Sequence, residues 1–108
     1  MRVENLAFYF KKPQCFRRIL YMSQDEIINT LKTMVEIPSV SSDNNHKKDV
    51  ESSAEYIQKL FSDLGLKAKV AQSKGGQPAV IASTEIDSTK KTILLYAHHD
   101  VQPVGDLE

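Results

Sequence analysis

The stretch Thr92-Ile93-Leu94-Leu95-Tyr96, followed at once by Ala97-His98-His99-Asp100 and then by Pro103 and Gly105, constrains this chain more than any other. A short β-branched and aliphatic run with a polar cluster before it predicts a strand buried on both faces, in a sheet covered by helices. Pro103 and Gly105 stop that strand. His98 and Asp100 then lie just past the carboxyl end of a central strand, where open α/β sheets gather their ligand sites. Side chains two apart on extended backbone share a side, so His98 and Asp100 cooperate and His99 projects the other way. A neutral imidazole is a good zinc ligand, and a ligating histidine usually gives its other ring N–H to a carboxylate that fixes tautomer and orientation. Asp100 suits that role. A histidine and an aspartate in a solvated loop would give the same short pattern.

The longer string Tyr96-Ala97-His98-His99-Asp100-Val101-Gln102-Pro103-Val104-Gly105-Asp106 resembles the first metal-site motif of the dinuclear zinc peptidase and amidohydrolase family. That family holds carnosinase-like dipeptidases, glutamate-releasing carboxypeptidases, aminoacylase, acetylornithine deacetylase and succinyl-diaminopimelate desuccinylase. Its pattern is a hydrophobic strand, a small residue, His, any residue, Asp, then Val-x-Pro. Gln102 and Gly105-Asp106 are most similar to its dipeptidase branch, and Ala97 stands where glycine is more usual. The resemblance implies that His98 is a zinc ligand and Asp100 the catalytic-site carboxylate that orients it. It also implies two zinc ions per complete site, sharing a bridging aspartate and a water whose proton a glutamate accepts. The bridging aspartate, the glutamate pair, the later acidic ligand and the second histidine have no counterpart here. One histidine does not make a tight zinc site, so weak or absent zinc binding and no hydrolysis by the chain alone are expected.

The 108 residues are at most one domain, and the resemblance makes them part of one. Fourteen basic and fourteen acidic residues cancel, so the total charge argues for neither nucleic acid nor an anionic membrane as partner. No run approaches a membrane span. The single cysteine, Cys15, excludes an internal disulfide and fits a reducing compartment, giving a cytoplasmic expectation. Residues 1–21 differ from the rest: five basic residues face one acidic, among Phe8, Tyr9, Phe10 and Phe16, with no sustained period. They read as an unstructured or misassigned extension, with Met22 as the natural start; a basic aromatic segment touching RNA or a membrane, or a targeting peptide, is the other reading.

Ser23-Gln24-Asp25-Glu26 fits a capping box, and Ile27, Ile28, Leu31, Met34 and Val35 form one apolar stripe that ends at Pro38, which predicts a helix with a core-facing side. Ile37-Pro38-Ser39-Val40-Ser41-Ser42 makes a turn and is similar to the segment after the family's first helix. Asp43 to Lys48 is polar loop in which His46 is solvated. Val50, Ala54, Ile57, Phe61 and Leu64 repeat at helical spacing, with Gly65 as terminator. Leu66 to Ala71 alternates as a half-exposed edge strand, and Ala79 to Ala82 pairs with it across the Gly75-Gly76-Gln77-Pro78 turn. Glu85 to Lys91 is a second polar turn leading into the Thr92 strand.

The expected architecture is α/β, helix-helix-strand-strand-strand with a mixed sheet, residues 22–108 forming the amino-terminal portion of a metallopeptidase catalytic domain. The function implied is a zinc-dependent dipeptidase-like hydrolase acting on a dipeptide or N-acyl amino acid. The alternative is a small interaction module whose open edges a partner chain covers. An uncovered edge and sheet face also predict self-association.

Overall fold

The computed structural model describes residues 22–105; the readings made of residues 1–21 and of Asp106 lie outside them. The first helix, α1 (Gln24–Glu36), begins where the capping box places it. Ser23 accepts from the Glu26 N–H, and the Glu26 carboxylate accepts from the Ser23 N–H at 2.7 Å. Two free donors of the first turn are thereby satisfied, and Asp25 and Glu26 add negative charge at the positive end of the helix dipole. The chain then turns through Pro38 and a 3-10 turn at Asn44–His46 into the second helix, α2 (Lys47–Asp63).

Helix α2 ends by backbone geometry. Gly65 has φ of 82°, a conformation that L side chains resist. It allows the Leu66 N–H to reach the Phe61 carbonyl and the Gly65 N–H to reach the Ser62 carbonyl, a Schellman closure. Two strands follow, β1 (Lys67–Ala71) and β2 (Ala79–Ser83), paired antiparallel with Val70 opposite Val80 and Ala68 opposite Ala82. Both strands contact α2, and the Gln58 side chain donates to the Ala68 carbonyl across that boundary. Lys67, Lys69, Ile81 and Ser83 are exposed on the other face.

Among the described residues the sheet has two antiparallel strands, which corrects the expected third strand and mixed sheet. Residues 92–96 adopt no strand, and Ile93, Leu94, Leu95 and Tyr96 are all more than 80% exposed. The physical reason is that strand propensity specifies no structure without a neighbouring ladder and a covered face, and no described element supplies either. The α1 stripe meets the same correction: the helix forms but buries none of its residues. What remains is a small α/β unit, α2 on a hairpin, with α1 carried on its amino-terminal side.

The core is small, and it lies beneath one loop. Val40, Val50, Ala54 and Pro78 are its buried apolar members, beside two buried serines, Ser39 and Ser53. Val50, Ser53 and Ala54 present one face of α2 because residues three and four apart stack on a helix. Among the described residues no helix is long and apolar enough to cross a membrane.

Candidate metal site

The loop that lies over this core is His98-His99-Asp100, and its three side chains part as extended backbone requires. His98 and Asp100 meet each other: Nδ1 of His98 is 3.0 Å from Oδ1 of Asp100 and 3.2 Å from the Asp100 carbonyl oxygen. His99 turns instead toward α2 and the hairpin, with Nδ1 3.0 Å from the Ser53 hydroxyl and Nε2 3.3 Å from the Pro78 carbonyl.

The partners assign the tautomers. Carboxylate and carbonyl oxygens only accept, so Nδ1 of His98 carries a proton and the lone pair of its neutral ring is on Nε2. That ring is 76% exposed, which leaves the lone pair available to a metal. His99 is wired the opposite way: Nε2 donates to Pro78, and Nδ1 of the neutral ring accepts from Ser53. Its lone pair is already used. Adjacent histidines of equal coordinating power are thus divided into one open donor and one half-buried peg.

The loop is clasped from two sides. The Ser39 hydroxyl donates to the His99 carbonyl at 3.2 Å, the single Ser53 O–H is shared between that carbonyl, at 3.1 Å, and Nδ1 of His99, and the Val101 N–H donates to the Ser39 carbonyl at 3.2 Å. The Ser41 hydroxyl donates to Oδ2 of Asp100 at 2.5 Å, and the Gln77 side chain holds the Ser41 carbonyl at 2.8 Å. The Ser41 hydrogen bond is the main reason the Asp100 carboxyl titrates below its ordinary range; partial burial opposes it and the His98 contact adds to it. Asp100 is therefore anionic at neutral pH and accepts from both neighbours.

Ser39, Ser41 and Ser53 were not singled out by sequence reasoning as parts of a site. Ser39 and Ser41 stand in the turn segment after Pro38, and Ser53 lies three residues after Val50 on the apolar stripe of α2. A small hydroxyl at a core position is a signal of a buried hydrogen bond, but it does not name the acceptor. His46, read as solvated, pairs at the surface with Asp49, Nδ1 to Oδ2 at 2.8 Å.

As metal donors, the described residues fit one ligand and its orienting carboxylate. No group of three or more His, Cys, Asp or Glu residues able to hold an ion exists among them, so a closed three- or four-ligand site is not formed by residues 22–105.

Comparison with known proteins bears on the same loop-bearing chain. Over 96 residues it is 33% identical to a Cys-Gly metallodipeptidase of Schizosaccharomyces pombe, across 81% of this chain and 20% of that protein. The likeness is to metallodipeptidases. Cys-Gly metallodipeptidases of Saccharomyces cerevisiae and Candida albicans are 31% and 30% identical, over 85% and 72% of this chain and 19% of each relative. The chain spans about one-fifth of the length of these curated relatives. No family model and no solved structure matches it. The relatives' names support the metallopeptidase and dipeptidase parts of the sequence reading, and a metal cofactor with them.

Proposed function

We propose that this chain supplies the His98–Asp100 portion of a metal-dependent dipeptidase that cleaves a peptide bond with water. The observation that carries the reading is the geometry at His98: Nδ1 lies 3.0 Å from Oδ1 of Asp100, an oxygen that only accepts, and Nε2 is left on an exposed ring. His98 would be one zinc ligand, and the metal when bound would acidify a water and polarise the scissile carbonyl. Asp100 does not bind the ion in this reading. Its carboxylate keeps the proton on Nδ1, holds the ring plane, and increases the basicity of Nε2. His99 and the two serines beneath it hold the backbone from which both groups project. A dipeptide of the Cys-Gly kind is the substrate class suggested by the relatives, and the dipeptidase branch is preferred to the N-acyl amino acid branches on the same ground. The remaining ligands and the general base would come from sequence corresponding to the rest of the relatives' length, so residues 22–105 alone would hydrolyse nothing.

The test is a chimera in which residues 22–108 replace the matching segment of the Schizosaccharomyces pombe relative, assayed for zinc content and Cys-Gly hydrolysis. His98→Ala should lose one metal and most turnover, while Asp100→Ala should lower metal affinity or turnover roughly 10- to 100-fold. A folded, active chimera indifferent to His98→Ala would end the proposal.

A further inference from the structure

The metal-facing pair is joined to a third group that lies about sixty residues away in the chain. Ser41 donates its hydroxyl to Oδ2 of Asp100, the oxygen that does not face His98, while Oδ1 receives the His98 N–H. A carboxylate on a rotatable Cα–Cβ–Cγ stem can present either oxygen, and a ring N–H can equally turn to water. With one oxygen fixed by Ser41, the carboxylate plane is set and the other oxygen has one direction left. Ser41 is itself fixed: its carbonyl is held by Gln77, and two residues earlier the Ser39 carbonyl accepts from Val101, so the two segments run side by side.

We infer that Ser41 is a positioning residue of the metal site, acting through Asp100 to hold His98 in the tautomer with Nε2 free. The inference deepens the dipeptidase reading and rests on it for the meaning of a free Nε2, but the hydrogen-bond relay itself is independent of any reaction. Ser39 and Ser41 each take a different part of the same loop, the His99 carbonyl and the Asp100 carboxylate.

The experiment reads the tautomers directly, by long-range proton–nitrogen NMR of the metal-free 108-residue chain at neutral pH. In the unsubstituted chain Nε2 of His98 should resonate as an unprotonated ring nitrogen, and Nε2 of His99 as a protonated one. Ser41→Val should shift His98 toward the averaged position of a freely exchanging imidazole and leave His99 unchanged. Ser41→Thr, of the same shape but with the hydroxyl, should restore the His98 signature. Three results would overturn the inference: no His98 shift in Ser41→Val; a shift that Ser41→Thr fails to restore; or concurrent loss of the His99 signature, which would make Ser41 a support of the fold. Dipeptide hydrolysis by the chimera is scored separately. Its absence with an intact Ser41 effect would remove the dipeptidase reading and leave the relay standing, and the reverse pattern would remove only the relay.

Discussion

In α1 and in residues 93–96 large apolar side chains stand in solvent, Leu31 57% and Leu94 90% exposed, whereas under the His98–Asp100 loop two serines, Ser39 and Ser53, are at 0% and 2%. The inversion follows from what each kind of group needs. A buried hydroxyl needs one or two atoms at the right distance, and the His99 carbonyl and ring provide them. An apolar face needs area, and no described element lies against α1 or the 93–96 segment to provide it. Full burial of one such side chain stabilises by roughly 1.5–3 kcal/mol. A handful of uncovered ones therefore represents an amount similar to the whole stability of a small domain, about 5–15 kcal/mol. Among the described residues the polar wiring at the loop is complete and the apolar cover is not.

The largest effect that would test this contrast is His99→Ala. It removes both ring hydrogen bonds, opens space over α2, and leaves the buried Ser53 hydroxyl with only the backbone carbonyl. A loss of roughly 2–3 kcal/mol is expected in urea unfolding of the chain. The metal-capable nitrogen of His98 should keep its own pairing with Asp100 in any folded fraction. Unfolding indistinguishable from the unsubstituted chain would mean that the loop is not anchored as described.

Next in size is Ser23→Ala, which removes the side-chain half of the capping box. Because α1 buries nothing, its thirteen residues depend on local terms, and an isolated helix of that length is marginal in water. The substitution should cost about 1 kcal/mol, confined to α1. Amide exchange should accelerate along Gln24–Glu36 and stay unchanged along Lys47–Asp63. Equal acceleration in both helices would show that α1 is coupled to the core.

A smaller effect still is expected from Leu31→Lys, placed on the stripe that sequence periodicity assigns to a core. With Leu31 more than half exposed, the change should stay within about 0.5 kcal/mol by urea unfolding. A loss as large as that of His99→Ala would mean that the stripe is covered in solution, and the contrast between the two regions would disappear.

These regions also mark what the sequence could and could not announce. The capping box at Ser23, the Val50–Ala54 face of α2, the Gly65 stop and the β1–β2 pairing all depend on residues close in sequence, and each is present as read. The strand read at 92–96 and the buried side of α1 depended on partners that no local pattern can guarantee. The opposed facing of His98 and His99 was legible because alternation is a property of extended backbone. The serine clasp was not: Ser41 and Asp100 are separated by 59 residues, and nothing in either neighbourhood encodes their meeting.

Asp87 is the control for Asp100, because the same kind of hydroxyl contact is made there without any cover. Thr89 donates its hydroxyl and its backbone N–H to Oδ1 of Asp87, at 2.5 and 3.0 Å, and Lys90 pairs with Oδ2 at 3.0 Å. Thr89 foremost, with Lys90, holds the Asp87 carboxyl down to about 2, from an ordinary 3.8. A carboxyl lowered in the folded state binds fewer protons there than in the unfolded chain, so its stabilisation is present in full above pH 3.8 and fades as pH falls through about 2. The effect on overall stability should be the smallest of the series, since the group lies at the exposed surface and the turn is local. Carbon-detected NMR titration of the Asp87 carboxyl should give a midpoint well below 3.8 that Thr89→Ala raises, while Asp100 stays unmoved by that substitution. An Asp87 midpoint at 3.8 in the unsubstituted chain would show that an exposed hydroxyl contact does not persist in water. Burial beside Ser39 and Ser53 would then be what allows the Ser41–Asp100 bond to hold.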